Sequence, residues 1–334
     1  MKGSAMTVPL SILDLAQIAE GATAAESFAS SVTLAQRAEE WGYTRIWYAE
    51  HHNMGSIASS ATSVLVGHIA ASTKTIRLGS GGVMLPNHSP LTIAEQFGTL
   101  ETLHPGRIDL GLGRAPGSDQ NTMRALRRDP SAADTFPQDV LELQGYLSGQ
   151  TRVPGVQATP GAGTNVPLYI LGSSLFGARL AAALGLPFAF ASHFAPQALL
   201  DAVSIYRREF QPSEQLERPH VIAGVNVIAA DSTADAQREF HEAKRRRVSL
   251  LLGRGQQFTT DESEAILNSP ASQQIGQMAR YSAVGTAREV SDYLDWFTGH
   301  AGADELIVAT QAGSTDAWLR SFELVAGTVQ PVAA

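Results

Sequence analysis

The feature that most constrains this chain is a rhythm kept from end to end, in which short β-rich runs alternate with stretches of helical periodicity. When each strand is followed by a helix before the next strand, neighbouring strands pair in parallel and the helices cover the sheet. The strands are read at 11–14, 44–50, 76–79, 107–113, 168–171, 188–191, 221–230 and 304–310. Helix punctuation falls between them. Thr23 and Glu26 form a capping-box pair, Gly42 and Gly185 suit left-handed helix ends, and Ser89-Pro90 supplies an N-cap with a first-turn proline. Two stretches break the rhythm. Residues 150–166 are rich in Gly, Pro and Thr and read as an excursion. Residues 231–284 are too long and polar for a simple crossover and predict a helical insertion. With no composition break, this pattern predicts one α/β domain over 7–330. Its form is a closed (β/α)8 barrel of the TIM type, with insertions after strands four and seven. Residues 1–6 (MKGSAM) read as an appended remnant ahead of a native Met6.

Composition narrows the function classes. Hydrophobic residues make up 44% of the 334, enough for a sizeable core, yet no apolar run approaches the roughly 20 residues that span a bilayer. The N-terminus lacks the pattern of a secretory signal. The chain contains no cysteine, which removes disulfides, thiolate metal sites and cysteine nucleophiles and makes a cytoplasmic address the expectation. A net charge of −8 without a basic, aromatic-studded stripe argues against nucleic acid as a partner. The only basic run, Lys244-Arg245-Arg246-Arg247, lies in a charged helical stretch and reads as a solvated face.

In barrels of this kind the chemistry sits at the C-terminal ends of the strands. Strand two ends in Glu50-His51-His52-Asn53, strand three in Gly79-Ser80-Gly81-Gly82, strand four in Gly113-Arg114 and strand five in Gly172-Ser173-Ser174. Ser173 and Ser174 precede a helix, so free N–H groups and hydroxyls converge at its positive end, a natural anion seat. Gly172 and Gly177 open a close approach to the backbone, and Arg114 offers a planar fork for phosphate. Ordinary helix capping by the serines and a surface ion pair for Arg114 explain the same residues. Of the adjacent His51 and His52 only one can face the mouth; one core and one loop histidine is the plainer account. Their spacing is wrong for a helical metal pair. The glycines around Ser80 imply either close approach by something flat or a bulge at the barrel rim.

Taken together, these strand ends resemble the bacterial-luciferase-like flavin monooxygenases. The matching segments are WYAEHHN (47–53), LGSGGVMLPNHSP (78–90), ETLHPGRIDLGLGRAPG (101–117), LYILGSSLFGARLAAALGLPFAFASHF (168–194), VGTAREVSDYL (284–294) and GADELIVAT (302–310). The similarity is greatest to the branch of unassigned or natural-product substrate.

The resemblance implies an FMN-dependent monooxygenase that uses reduced FMN and O2 to oxygenate a small organic substrate. A separate NAD(P)H:flavin reductase would supply the reduced flavin. It makes Arg114, Ser173 and Ser174 the phosphate site, with Glu50, Gly81, Gly82, Gly172 and Gly177 the rest of the cofactor site. It places His51, with His52, at the chemistry, and a non-proline cis peptide at Gly81-Gly82 beneath the ring. Trp47, Tyr48 and Phe190 are expected to wall the ring. Where luciferase has a reactive cysteine before the arginine this chain has Gly113, which departs from light emission. A homodimer is also implied, with the helices near 59–73 and 90–104 packed against their twins; Ala58, Ala61, Thr62 and Ala70 permit close helix approach, and the same pattern would serve a helix lying on the barrel. The alternatives are a deazaflavin-dependent dehydrogenase of the same fold, a non-catalytic flavin-binding protein, and a metal-dependent hydrolase that lacks a ligand set.

Overall fold

Alternation along the strands decides which side chains fill the interior and which meet the helices. The computed structural model describes residues 8–19, 21–115, 119–252, 258–270 and 272–328. Its strands are β1 (Leu10–Asp14), β2 (Arg45–Tyr48), β3 (Arg77–Met84), β4 (Ile108–Gly113), β5 (Leu168–Gly172), β6 (Phe188–Phe190), β7 (Val221–Ala229), β8 (Ser282–Gly285) and β9 (Glu305–Ala309). Every pairing is parallel. The ring runs β1 to β7 in sequence, skips to β9, and closes through β6–β7 and β9–β1. It is the predicted (β/α)8 barrel.

Inside the ring, Leu13, Trp47, Ala49, Tyr169, Ala189, Ile222, Ile307 and Ala309 form one cluster with Leu15 and Leu171. Their two-residue spacing within each strand marks the inward face. The residues between them, such as Ile12, Ile46, Tyr48, Ile170, Phe188 and Phe190, belong to the larger core between strands and helices. Tyr48 and Phe190 therefore back onto the helices and do not wall the mouth; of the three expected ring walls only Trp47 faces inward. Alternation explains the error, because Tyr48 follows the inward Trp47 and Phe190 follows the inward Ala189.

The floor of the barrel is charged. Arg45 donates to Asp109 at 2.7 Å, to Glu305 at 2.9 Å and to the Tyr169 hydroxyl at 2.7 Å. Arg77 completes the cage on Asp109, and His220 meets Glu305 at 3.2 Å. These groups sit at the N-terminal ends of their strands, the face that serves stability in such barrels.

Helix ends follow the punctuation. The Thr23/Glu26 capping box opens Ala24–Trp41, which Gly42 closes at φ 82°; Ser89 caps Pro90–Leu103. The 150–166 excursion folds back on that helix, where a Cβ on Gly98 would lie 2.2 Å from the Gly161 Cα. The 231–284 stretch holds the helices Thr233–Leu252, Thr260–Leu267 and Ser272–Met278, as an insertion should. It also ends in β8, an unexpected ninth strand on the outer half of β7, from Asn226↔Ser282 to Ala229↔Gly285. Four residues running straight into the Thr286–Glu289 capping box leave too short a signal to read as a strand. No helix among the described residues is long and apolar enough to cross a membrane. Residues 1–6 and the Pro116-Gly117 end of the GLGRAPG segment lie outside the described residues.

Candidate active site

The end of β2 separates the two histidines. Continuing the inward parity of Trp47 and Ala49 brings His51 toward the mouth, whereas His52 falls with Glu50 on the other side. Contacts agree with this parity. His52 Nε2 lies 2.8 Å from Glu50 Oε1, and His88 Nε2 reaches the same oxygen at 2.8 Å. The Met84 N–H donates to Glu50 Oε2 at 3.0 Å. Burial alone would raise the Glu50 carboxyl, but the bonds from His52, His88 and Met84 hold it down at about 2. Glu50 thereby ties the end of β2 to the end of β3, and its oxygens are spent on protein donors. The same contact raises the His52 pKa against its burial. His51 shifts the other way: burial lowers its pKa, with the Glu50 charge opposing and His52 adding. Burial thus favours its neutral form.

β3 and β4 meet through glycines. The ladder shifts register between Ser80 and Val83, so the rim bulge is present. A Cβ on Gly82 would lie 2.8 Å from the Gly111 carbonyl oxygen, and one on Gly81 would lie 2.8 Å from Leu13 Cδ1 and 2.9 Å from Trp47 Cβ. Only glycine fits at either position. The Gly81-Gly82 peptide is cis, as expected.

β4 and β5 are neighbours, with Gly113 opposite Leu171, so Arg114 emerges beside Gly172-Ser173-Ser174. Its guanidinium lies over the Phe176 ring at 4.2 Å, on the first turn of the Leu175–Leu184 helix, and Nε–H donates to the Ala133 carbonyl at 3.1 Å. Asp134 is 3.8 Å away with both side chains well exposed, a loose ion pair. Ser174 occupies the N-cap position, yet its side chain makes no capping bond. Capping therefore does not explain that serine. Gly172 and Gly177 turn toward each other, a Cβ on either meeting the other's Cα at 3.6 Å. Their close approach packs the helix against β5.

The inward parity exposes residues that the sequence reading passed over. Beyond Ala189 on β6 comes His193, beyond Ile222 on β7 comes Asn226, and beyond Ala309 on β9 comes Gln311. Asn226 Nδ2 donates to the His193 carbonyl at 2.6 Å. The His193 Nδ1 is buried without a hydrogen-bond partner. Burial, then the charges of Arg247 and His51, push its pKa down to about 4. A Cβ on Gly224 would fall 2.3 Å from that nitrogen, so the glycine is what admits the ring. The run of every second residue from Ala189 was the available signal. Among the described residues no group of His, Asp and Glu side chains is arranged to hold a metal.

Residues 8–305 match the luciferase-like monooxygenase family. A luciferase-like monooxygenase of Escherichia coli (strain K12) is 52% identical over 321 residues, spanning 95% of this chain and 96% of that protein. The N-acetyl-S-alkylcysteine monooxygenase of Bacillus subtilis (strain 168) is 33% identical over 338 residues, covering 96% and 98%. The crystal structure of apo-MsnO8 superposes with a TM-score of 0.87 at 35% identity, covering 96% and 98%. Two more distant structures share the fold. One is the oxygenating constituent of 3,6-diketocamphane monooxygenase in complex with FMN (TM-score 0.74, 15% identity, covering 97% and 99%). The other is an F420-dependent secondary alcohol dehydrogenase (TM-score 0.73, 16% identity, covering 97% and 100%). With the fold, the strand-end residues and a match over nearly the whole chain in agreement, the protein belongs to the luciferase-like monooxygenase family and is a flavin-dependent oxidoreductase.

Proposed function

We propose that the protein is an FMN-dependent monooxygenase that receives reduced FMN from a separate NAD(P)H:flavin reductase and oxygenates a small organic substrate with O2. The observation that carries this reading is the juxtaposition after β4 and β5. There a loosely paired guanidinium is stacked on the first turn of a helix whose N-cap serine leaves its hydroxyl uncommitted. That set of donors fits a phosphate. Across the ring, three strands away, the neutral His51 faces the mouth above Trp47.

Reduced flavin supplies the two electrons that place one oxygen atom of O2 in the substrate and the other in water. The chain's own residues do the rest. Arg114, Ser173 and Ser174 fix the phosphate. Gly81, Gly82 and the inward Trp47 leave a smooth, apolar floor under the ring that excludes water. His51, held neutral, can accept and return a proton beside the reacting atoms. Glu50 and His52 act behind it by fixing the β2 end. The N-acetyl-S-alkylcysteine monooxygenase relative supports a thioether as a candidate substrate class.

The test mixes protein with photoreduced FMN under argon, admits oxygen, and follows product and H2O2 with S-alkylcysteine derivatives present. Wild type should couple flavin oxidation to product, and His51→Ala should bind FMN yet release H2O2 instead. Turnover with reduced deazaflavin and a ketone, without O2 consumption, would replace this reading by the dehydrogenase that the F420-dependent fold neighbour illustrates.

A further inference from the structure

The basic run 244–247 does not behave as the solvated face its composition implies. On the Thr233–Leu252 helix, Arg246 and Arg245 do find partners: Arg246 donates to the Gln311 carbonyl at 2.8 Å, and Arg245 pairs with Glu242 and Glu264. Arg247 instead turns inward and is only 9% exposed. Its one hydrogen bond among the described residues runs from Nη2 to Gln311 Oε1 at 3.1 Å. No carboxylate there pairs with it. The nearby acids of the same helix are engaged elsewhere: Glu239 receives the Gly313 N–H at 2.8 Å, and Glu242 holds Arg245.

Burying a guanidinium without a counter-ion is costly, and proteins retain such a charge where something anionic completes it. Here burial lowers the Arg247 pKa with no opposing acid.

Two further observations say where the anion would sit. A cavity of about 20 Å3 opens beside Arg247, lined also by Lys244, Asn226, Ser282 and Gln311 and by no acid. Lys244 lies over the Phe240 ring at 5.1 Å and has no ion-pair partner among the described residues. The cavity adjoins the mouth through inward-facing residues. Gln311 lies just beyond β9 and Asn226 on the inward face of β7, and Arg247 is near enough for its charge to act on His193. The phosphate donors, by contrast, lie at the ends of β4 and β5, on another arc of the ring.

We propose that Arg247, held by Gln311 and assisted by Lys244, binds the carboxylate of an acidic organic substrate on the β7–β9 side of the mouth. The cavity of about 20 Å3 admits only a small polar head group, since about 10–15 Å3 of such space holds one water. The guanidinium fork matches a carboxylate edge-on. This inference rests on the oxygenase reading above and makes its substrate an acid.

The experiment titrates acid–amide pairs calorimetrically into the purified protein, with and without oxidised FMN. The probes are N-acetyl-S-benzylcysteine and its carboxamide, 3-(methylthio)propionate and its carboxamide, and phenylacetate and phenylacetamide. Wild type should bind at least one acid about tenfold or more tighter than its amide. Arg247→Met, which keeps the apolar stem, should erase the preference, leave FMN affinity unchanged, and keep or raise Tm because an unpaired buried charge is gone. Arg247→Lys should restore part of the preference, which a merely structural role would not do. The proposal is overturned if no acid is preferred, if the preference survives Arg247→Met, or if Arg247→Met loses FMN as strongly as the acid. Because one arm is flavin-free, failure of wild type to bind FMN, which would sink the flavin reading, is distinguishable from failure to prefer the acid.

Discussion

Replacing Arg114 by Ala isolates the phosphate half of the proposed cofactor site. In the wild type the guanidinium is oriented by Nε–H to the Ala133 carbonyl at 3.1 Å and by its stack 4.2 Å above Phe176. The nearest carboxylate, on Asp134, stands 3.8 Å away and is 77% exposed, so the terminal nitrogens are available to a ligand. A charge-assisted hydrogen bond contributes about 1.5–3 kcal/mol. The side chain is 41% exposed, so water competes and the lower part of that range applies. A loss of about 1.5–2 kcal/mol corresponds to roughly ten- to thirty-fold in Kd. Riboflavin has no phosphate and should lose almost nothing. Fold stability should also hold, because the ion pair removed among the described residues is exposed. Flavin-fluorescence titrations of wild type, Arg114→Ala and Arg114→Lys with both ligands read this directly, lysine giving an intermediate loss because it is a point charge without the fork. Equal weakening of FMN and riboflavin would refute the reasoning and make Arg114 a prop for the β4 end.

Three further outcomes follow from the geometry. Arg45→Ala leaves Glu305 and Asp109 buried with a main partner gone and should cost about 3–5 kcal/mol in urea unfolding; a loss below about 1 kcal/mol would mean water repairs the floor. The Glu50–His52 contact sets a pH window. The depressed Glu50 pKa adds stability above its ordinary value of 4.5 that is lost as pH falls toward about 2, and the raised His52 pKa adds stability below 6.5 that is lost as pH rises through it. The Tm difference between wild type and Glu50→Gln should therefore peak between about pH 4.5 and 6.5, and a flat difference would contradict the assignment. The proposed homodimer should appear in light scattering and be broken by Val64→Asp with Leu103→Asp. These are the exposed apolar residues, 71% and 65% accessible, of the two helices concerned. Thr62 and Ala70, expected at that contact, are buried against their own barrel; a monomeric wild type would end the proposal.

The sequence by itself determined the order of the eight barrel strands and the helices between them, though not β8, because periodicity, caps and glycine punctuation are local: the Thr23/Glu26 box, Gly42 and Gly185 each act within one turn of chain. It also determined which strand ends carry unusual residues, since barrel topology puts all eight at one mouth. What the tertiary structure decided is how those residues divide their work. Adjacent His51 and His52 are alike in sequence and become opposites only when Glu50, which also holds His88, takes His52 and not His51 as its partner. Gly172 and Gly177 face each other because a helix must pack on β5. Arg247 is one of four neighbouring cations until the rotation of its helix buries it and gives the acids to Arg245. Parity and helix phase are legible over a few residues, but which face is inside depends on partners far along the chain, and burial, charge compensation and site chemistry all follow from that choice of face.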